Sequence, residues 1–212
     1  MNRLLAAAAA AACLLPLAVV APAHAATTSV VCDSAWTGRT VDANVVVPAG
    51  TWCQLHEVTV SGNVTVQSGA TLHAYGKSAI AGNIFSDGGA VSVHDSSVGG
   101  NLTVLNAPYA MVFGGRVAGN TRIDGATGPV ELCVGAGLTA AQRDQSVCGG
   151  LSQFGSEGRF GNVTITNSGN LVVFGGNTVT KNLACWGNAK GVTNAGLPNM
   201  VLGKASGQCV GA

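Results

Sequence analysis

The sequence predicts an all-β solenoid, a single-stranded parallel β-helix of coils about 19 residues long, and three observations predict it. One dipeptide, Gly-Asn, recurs at a nearly fixed interval. Each recurrence opens a short apolar-polar alternation of the kind that makes a half-buried strand. The third is composition: 31 Gly and only 9% charged residues, against a usual proportion of about a quarter, describe a turn-rich β protein and not a disordered chain.

Taken in order, the chain begins with a charged Arg3 and an apolar run over residues 4–20, broken by Pro16. Ala23-His24-Ala25 then places small residues at the positions a signal peptidase reads. This is the order of a secretory signal, so residues 1–25 are expected to be a signal peptide and 26–212 one β-helix domain. A spanning helix wants about 20 apolar residues with no cleavage site behind it, so no stable membrane insertion is expected once the signal is removed.

The repeat follows. Gly62-Asn63, Gly82-Asn83, Gly100-Asn101, Gly119-Asn120, Gly161-Asn162 and Lys181-Asn182 succeed one another at intervals of 20, 18, 19, 42 and 20 residues. Ala43-Asn44 extends the series backward by 19. The strands after each Asn include Val64-Thr65-Val66, Leu102-Thr103-Val104 and Val163-Thr164-Ile165, and a second run follows in most units, as in Thr71-Leu72-His73-Ala74-Tyr75. Antiparallel sandwiches space strands similarly but do not repeat a dipeptide in register. Coils stacked about 4.8 Å apart bring equivalent positions together, so Asn63, Asn83, Asn101, Asn120, Asn162 and Asn182 are expected to form a hydrogen-bonded ladder. The glycine beside each is expected to supply a turn conformation that a Cβ would oppose. Alignment of the units places Cys53 over Leu72, with Val58, Val60, Ile80, Val98 and Val117 near the next corner. Uneven turns favour a right-handed coil.

Six cysteines remain after Cys13 leaves with the signal, an even number that reads as three disulfides in an oxidising compartment. A solenoid is weakest at its end coils, whose strand edges are unpaired. Sequential pairing, Cys32–Cys53, Cys133–Cys148 and Cys185–Cys209, would clamp both ends. Each terminal loop, of 21 and 24 residues, would then contribute roughly 3 kcal/mol by restricting the unfolded chain. With no C-x-x-C and three histidines beyond the signal, no metal is expected.

The interval of 42 residues is the exception to the period, and residues 126–160 are expected to be an irregular insertion or a degenerate coil. Thr139 can cap a helical turn there. Arg116, Arg122, Asp124, Glu131, Arg143, Asp144, Glu157 and Arg159 concentrate charge around it. Excursions on rigid scaffolds carry recognition, so Arg116, Arg122, Asp124, Arg143, Asp144 and Arg159 are the candidate binding residues. An excursion must also be solvated and pinned, which charges and a disulfide do in any case.

Catalytic patterns are sparse. His73 and His94 sit in equivalent strands with Tyr75 and Asp95 nearby, and read as outward polar residues rather than an acid–base pair. Asp87 and Asp95 are divided by a turn, which argues against a glycosidase pair. There is no nucleophile elbow and no phosphate loop. No cofactor is expected. Set apart from Arg3, nine basic side chains balance nine acidic ones, so no nucleic acid partner is expected either.

Val47-Pro48-Ala49-Gly50 with Cys53-Gln54-Leu55, then Gly62-Asn63-Val64-Thr65-Val66, then Asn182-Leu183-Ala184-Cys185, Gly187-Asn188 and Gly207-Gln208-Cys209, resemble a group of secreted actinobacterial proteins without assigned function. That resemblance implies a parallel β-helix and no activity. Pectin-degrading enzymes of the same fold class carry acidic and basic catalytic motifs. This chain offers only Arg122-Ile123-Asp124 with no adjacent Asp pair, so none of their residues carries over. Bactofilins are similar in coil period and Gly-apolar repeat, and they polymerise end to end; they are cytoplasmic and lack the cysteine clamps.

The sequence therefore points to a secreted structural or binding protein of the cell exterior or envelope, engaging a cell-surface glycan or a protein. The alternative is a carbohydrate-active enzyme with its residues in 116–159. Ice or crystal binding would need a regular threonine array; Thr65, Thr103 and Thr164 share a register that Phe85 interrupts. Oligomeric state is left open.

Overall fold

The computed structural model describes residues 28–133 and 158–211. Their strands form three parallel sheets that wind in alternation along one axis. The first sheet holds nine strands: Ser29–Val31, Asn44–Val47, Val64–Val66, Ile84–Asp87, Leu102–Leu105, Thr121–Asp124, Val163–Thr166, Leu183–Trp186 and Ala205–Gly207. The second holds eight: Ala35–Thr37, Trp52–His56, Thr71–Tyr75, Ala90–His94, Ala110–Phe113, Val130–Cys133, Val172–Gly175 and Val192–Thr193. The third is built from two-residue strands: Thr40–Val41, Thr59–Val60, Ala79–Ile80, Ser97–Val98, Arg116–Val117, Arg159–Phe160, Thr178–Val179 and Met200–Val201. The chain is thus a β-solenoid of eight coils with one further strand.

Register converts the repeat into a core. On the third sheet Val41, Val60, Ile80, Val98, Val117, Phe160, Val179 and Val201 stack as one inward column. Cys53, Leu72, Val91, Ala110, Val130 and Val172 do the same on the second. Nearly all are sealed from solvent, and polar residues alternate outward.

Three corners join the sheets, and they work by two different means. At the first-to-second corner the backbone turns through positive φ at Gly69, Gly88, Asn106, Gly125 and Asn167 (+71°, +73°, +51°, +68° and +54°). The second-to-third corner does likewise at Glu57, Lys77, Asp95 and Gly114. The third-to-first corner is the Gly-Asn site, and there the structure corrects the sequence expectation. None of its glycines has a positive φ. What excludes a side chain is the coil below: a Cβ on Gly100 would lie 2.5 Å from Asn83 Oδ1 and 2.8 Å from Gly82 O, and Gly62, Gly82 and Gly119 are as confined.

The asparagines make the ladder at this corner. Backbone N–H groups of Asn63, Asn83, Asn101, Asn120 and Asn182 donate to Oδ1 of the Asn one coil earlier at 2.8–3.1 Å. Asn162 reaches Asn120 through its side-chain amide at 2.9 Å, and Lys204 N–H closes the series on Asn182. Asn44 begins it.

Cys32–Cys53 ties the first coil to the second, and Cys185–Cys209 ties the turn that follows the last strand to the coil beneath it, with Cα–Cα distances of 5.4 and 5.2 Å. Cys133 is also disulfide-bonded. The expected Cys133–Cys148 pairing involves Cys148, which lies outside the described residues, as do Arg143, Asp144 and the turn expected at Thr139. The long interval is a single coil. Thr121–Asp124 pairs directly with Val163–Thr166, Val130–Cys133 with Val172–Gly175, and Arg116–Val117 with Arg159–Phe160. Val130–Cys133 and Arg159–Phe160 keep the solenoid register although both fall inside the expected irregular stretch 126–160; residues 134–157 lie outside the described residues.

Two inward positions of the first sheet break the apolar rule: Ser86, whose hydroxyl donates to Gly89 O, and Thr121. Thr121 stacks between Leu102 and Val163, and its buried Oγ1 has no hydrogen-bond partner. Leaving a hydroxyl unsatisfied costs about 1–3 kcal/mol, and valine has the same shape without it. Thr121→Val is expected to raise unfolding free energy by about 1 kcal/mol or more in urea titration; a loss of stability would mean that the hydroxyl is solvated.

Candidate functional site

Each outward column inherits its face from the same register, which decides which candidate residues can act together. Arg122 and Asp124 stand on the first sheet. Arg122 Nη2 lies 2.8 Å from Asp124 Oδ2, and Asp124 Oδ1 accepts from Thr166 Oγ1 and Asn167 Nδ2, both at 2.9 Å. The Arg122 hydrogen bond, with the one from Asn167, holds the Asp124 carboxyl below its ordinary value against a smaller effect of burial. A carboxylate with both oxygens engaged fastens two coils and the adjoining corner, and has little left for a ligand. The column beside it reads Val46, Thr65, Phe85, Thr103, Arg122, Thr164, Ala184, which is no threonine array.

Arg116 and Arg159 stand elsewhere, on the third sheet. They are register partners on neighbouring strands, although 43 residues separate them in sequence. Both are exposed. Their column runs Thr59, Ala79, Ser97, Arg116, Arg159, so a floor of small side chains leads up to two arginines in register on adjacent strands. Two adjoining hollows of about 330 Å³ each share Ser97 and Arg116; one extends over Thr59 and Ala79, the other to Lys77, Asp95 and Arg159. A third, of about 140 Å³, continues past Arg159 to Thr180. The result is a shallow groove parallel to the solenoid axis. Ser78 and Ser96 at its edge are buried and turned inward, donating to Leu55 O, Tyr75 O and His94 O. Ser97 is the half-exposed serine of the floor.

The second sheet bears a different group, which the sequence left as solvent-facing. His56 stacks on Tyr75 at 4.6 Å, and Gln54 Nε2 donates to Tyr75 Oη at 2.8 Å. His73 and His94 lie on consecutive strands but not at equivalent positions, because His73 is in register with Ser92. Their rings are nearly parallel at 6.4 Å, Tyr109 Oη lies 3.3 Å from His73 Nε2, and His94 contacts Ser92 Oγ and the Phe113 ring. Burial, with the charge of His73 second, lowers the His94 pKa to about 4. Burial alone lowers that of His73. Two rungs on from Ser92, Glu131 occupies an outward position between Met111 and Val173, yet it is sealed from solvent with no partner for Oε2. Desolvation raises its pKa to about 7. Phe113, Cys133 and Val173 beside it form a small apolar cluster with Met111, Ala195 and Leu197.

A serine, a neutral imidazole and a protonated carboxyl are acid–base groups by type. Ser92 and Glu131 are each 1% exposed, so neither presents an atom to a substrate. Asp87 and Asp95 fall on different parts of the coil, Asp87 on the first sheet accepting from Asn106 and Asp95 at the second-to-third corner. Among the described residues no group of three or more His, Cys, Asp or Glu is placed to hold a metal ion, and no helix is long and apolar enough to cross a membrane. Searches of family models, curated proteins and solved structures find nothing that matches the chain.

The buried carboxyl has a pH signature. The folded pKa of Glu131, about 7, lies above its unfolded value of 4.5, so the folded chain holds the proton more tightly. Stability from this group is complete below pH 4.5 and is lost as pH rises through 7. Glu131→Gln is expected to melt with the wild type at pH 4.5 and to be more stable at pH 8 by roughly 1–3 kcal/mol. Parallel melting curves across this range would place the carboxyl in water.

Proposed function

We propose that the protein is a secreted, non-catalytic binding scaffold of the cell exterior or envelope, and that its ligand is a glycan chain lying along the third-sheet groove. The observation that supports this most is the groove itself: an axial path over Thr59, Ala79 and Ser97 to Arg116 and Arg159, floored by the third sheet and flanked by corner residues. Grooves built on strands keep their shape without ordering a loop, which lowers the cost of binding an extended polymer. Structural disulfides and the expected signal at residues 1–25 favour an oxidising, extracellular setting. A carbohydrate-active enzyme using the 116–159 region is the competing reading. Arg122–Asp124 on one face and Arg116–Arg159 on another do not converge, which favours binding over turnover.

Ala79 lies in the groove floor with its side chain half exposed, and a tryptophan there fills the path without touching the core. The wild type is expected to bind an extracellular polysaccharide in a pull-down or titration panel and to release no new reducing ends or unsaturated products. Ala79→Trp is expected to weaken that binding at least tenfold. Product release abolished by neutralising an acidic residue would overturn the reading, and so would the absence of binding to every polysaccharide tested.

A further inference from the structure

The charge of the groove says more than its shape, and this step rests on the binding reading above. Arg116 and Arg159 are register partners one rung apart, and among the described residues neither forms an ion pair with a carboxylate. Like charges directly opposed across strands are destabilising. Nothing in the packing calls for them, since both side chains are exposed and the rest of this column is served by uncharged Thr, Ala, Ser and Met. Lys77 and Asp95 line the same hollow, so among the described residues there three basic side chains face one acidic one. Two guanidinium forks a rung apart, about 4.8 Å, can grip one carboxylate from both sides or two carboxylates on successive units.

We infer that the third-sheet groove binds a linear polysaccharide bearing carboxylates, with Arg116 and Arg159 as its anion clamp and Thr59, Ala79 and Ser97 as the seat of the chain. From Thr59 to Arg159 the column climbs four rungs, roughly 19 Å, long enough for several sugar units in extended form. Hydroxyls and methyl groups on the floor suit sugar rings. Nucleic acid is disfavoured, because this column offers no aromatic side chain for bases to stack on and the whole chain carries a net charge of only +1.

Titration of the protein with polygalacturonate, neutral dextran and single-stranded DNA of similar length tests this. Polygalacturonate is expected to bind with an affinity that falls as salt rises. Arg116→Gln and Arg159→Gln are each expected to weaken it roughly tenfold or more. Both variants should melt at or above the wild-type temperature, because a repulsion has been removed, and this separates loss of binding from loss of fold. Dextran should not bind. Tight dextran binding that Ala79→Trp blocks and the arginine variants leave unchanged would overturn the anion clamp while leaving the binding scaffold standing. Binding of DNA as tight as that of polygalacturonate would overturn the polysaccharide assignment, and failure of all three probes to bind would overturn both.

Discussion

Everything in this molecule depends on how closely successive coils approach at the Gly-Asn corner. There the backbone of one coil rests on the carbonyl of the coil beneath, leaving no room for a Cβ on Gly62, Gly82, Gly100 or Gly119. The same contact brings each Asn Oδ1 within reach of the next backbone N–H. A hydrogen bond of this kind adds about 1 kcal/mol net. Its larger effect is on register, since a slip of one residue would unseat both the glycine and the amide and turn every apolar column outward. Ala43 and Lys181 stand where the other units carry glycine, and Lys181 N–H still reaches Gly161 O at 3.3 Å.

Once register is set, distant residues become neighbours. Arg116 and Arg159 are brought together across the long interval because the strands on both sides of it pair directly. The strands on either side of residues 134–157 keep the columns intact. A solenoid accommodates so long an interval because a coil contacts only the coils above and below it. By the same logic the ends need help, and Cys32–Cys53 and Cys185–Cys209 hold the coils that have a neighbour on one side only.

Much of this was legible in the sequence, for physical reasons. A strict repeat is a statement about stacking, so the sheets, the inward columns and the terminal disulfides could be read from spacing alone. The role of the corner glycine could not, because a tight turn and a close contact demand the same residue; only backbone angles and the carbonyl of the neighbouring coil distinguish them. The candidate charges were read as one cluster because they are close in sequence. Short strands turn the chain onto a new face every few residues, which sends Arg122 and Asp124 to one sheet and Arg116 and Arg159 to another. Val130-Glu131-Leu132 alternates as a half-buried strand does, which gives Glu131 the pattern of an outward residue. Its sealing from solvent is a tertiary effect, which local alternation does not report.

The most direct measurement is the unfolding free energy of Gly100→Ala. At an unhindered position with ordinary φ, alanine in place of glycine stabilises a protein by about 0.4–1 kcal/mol, because the unfolded chain loses freedom. If the approach of the coils is as close as described, the added methyl must displace Asn83 Oδ1 and the Gly82 carbonyl, and the variant should be destabilised by roughly 1–3 kcal/mol. A variant as stable as the wild type, or more so, would contradict the central role of this corner.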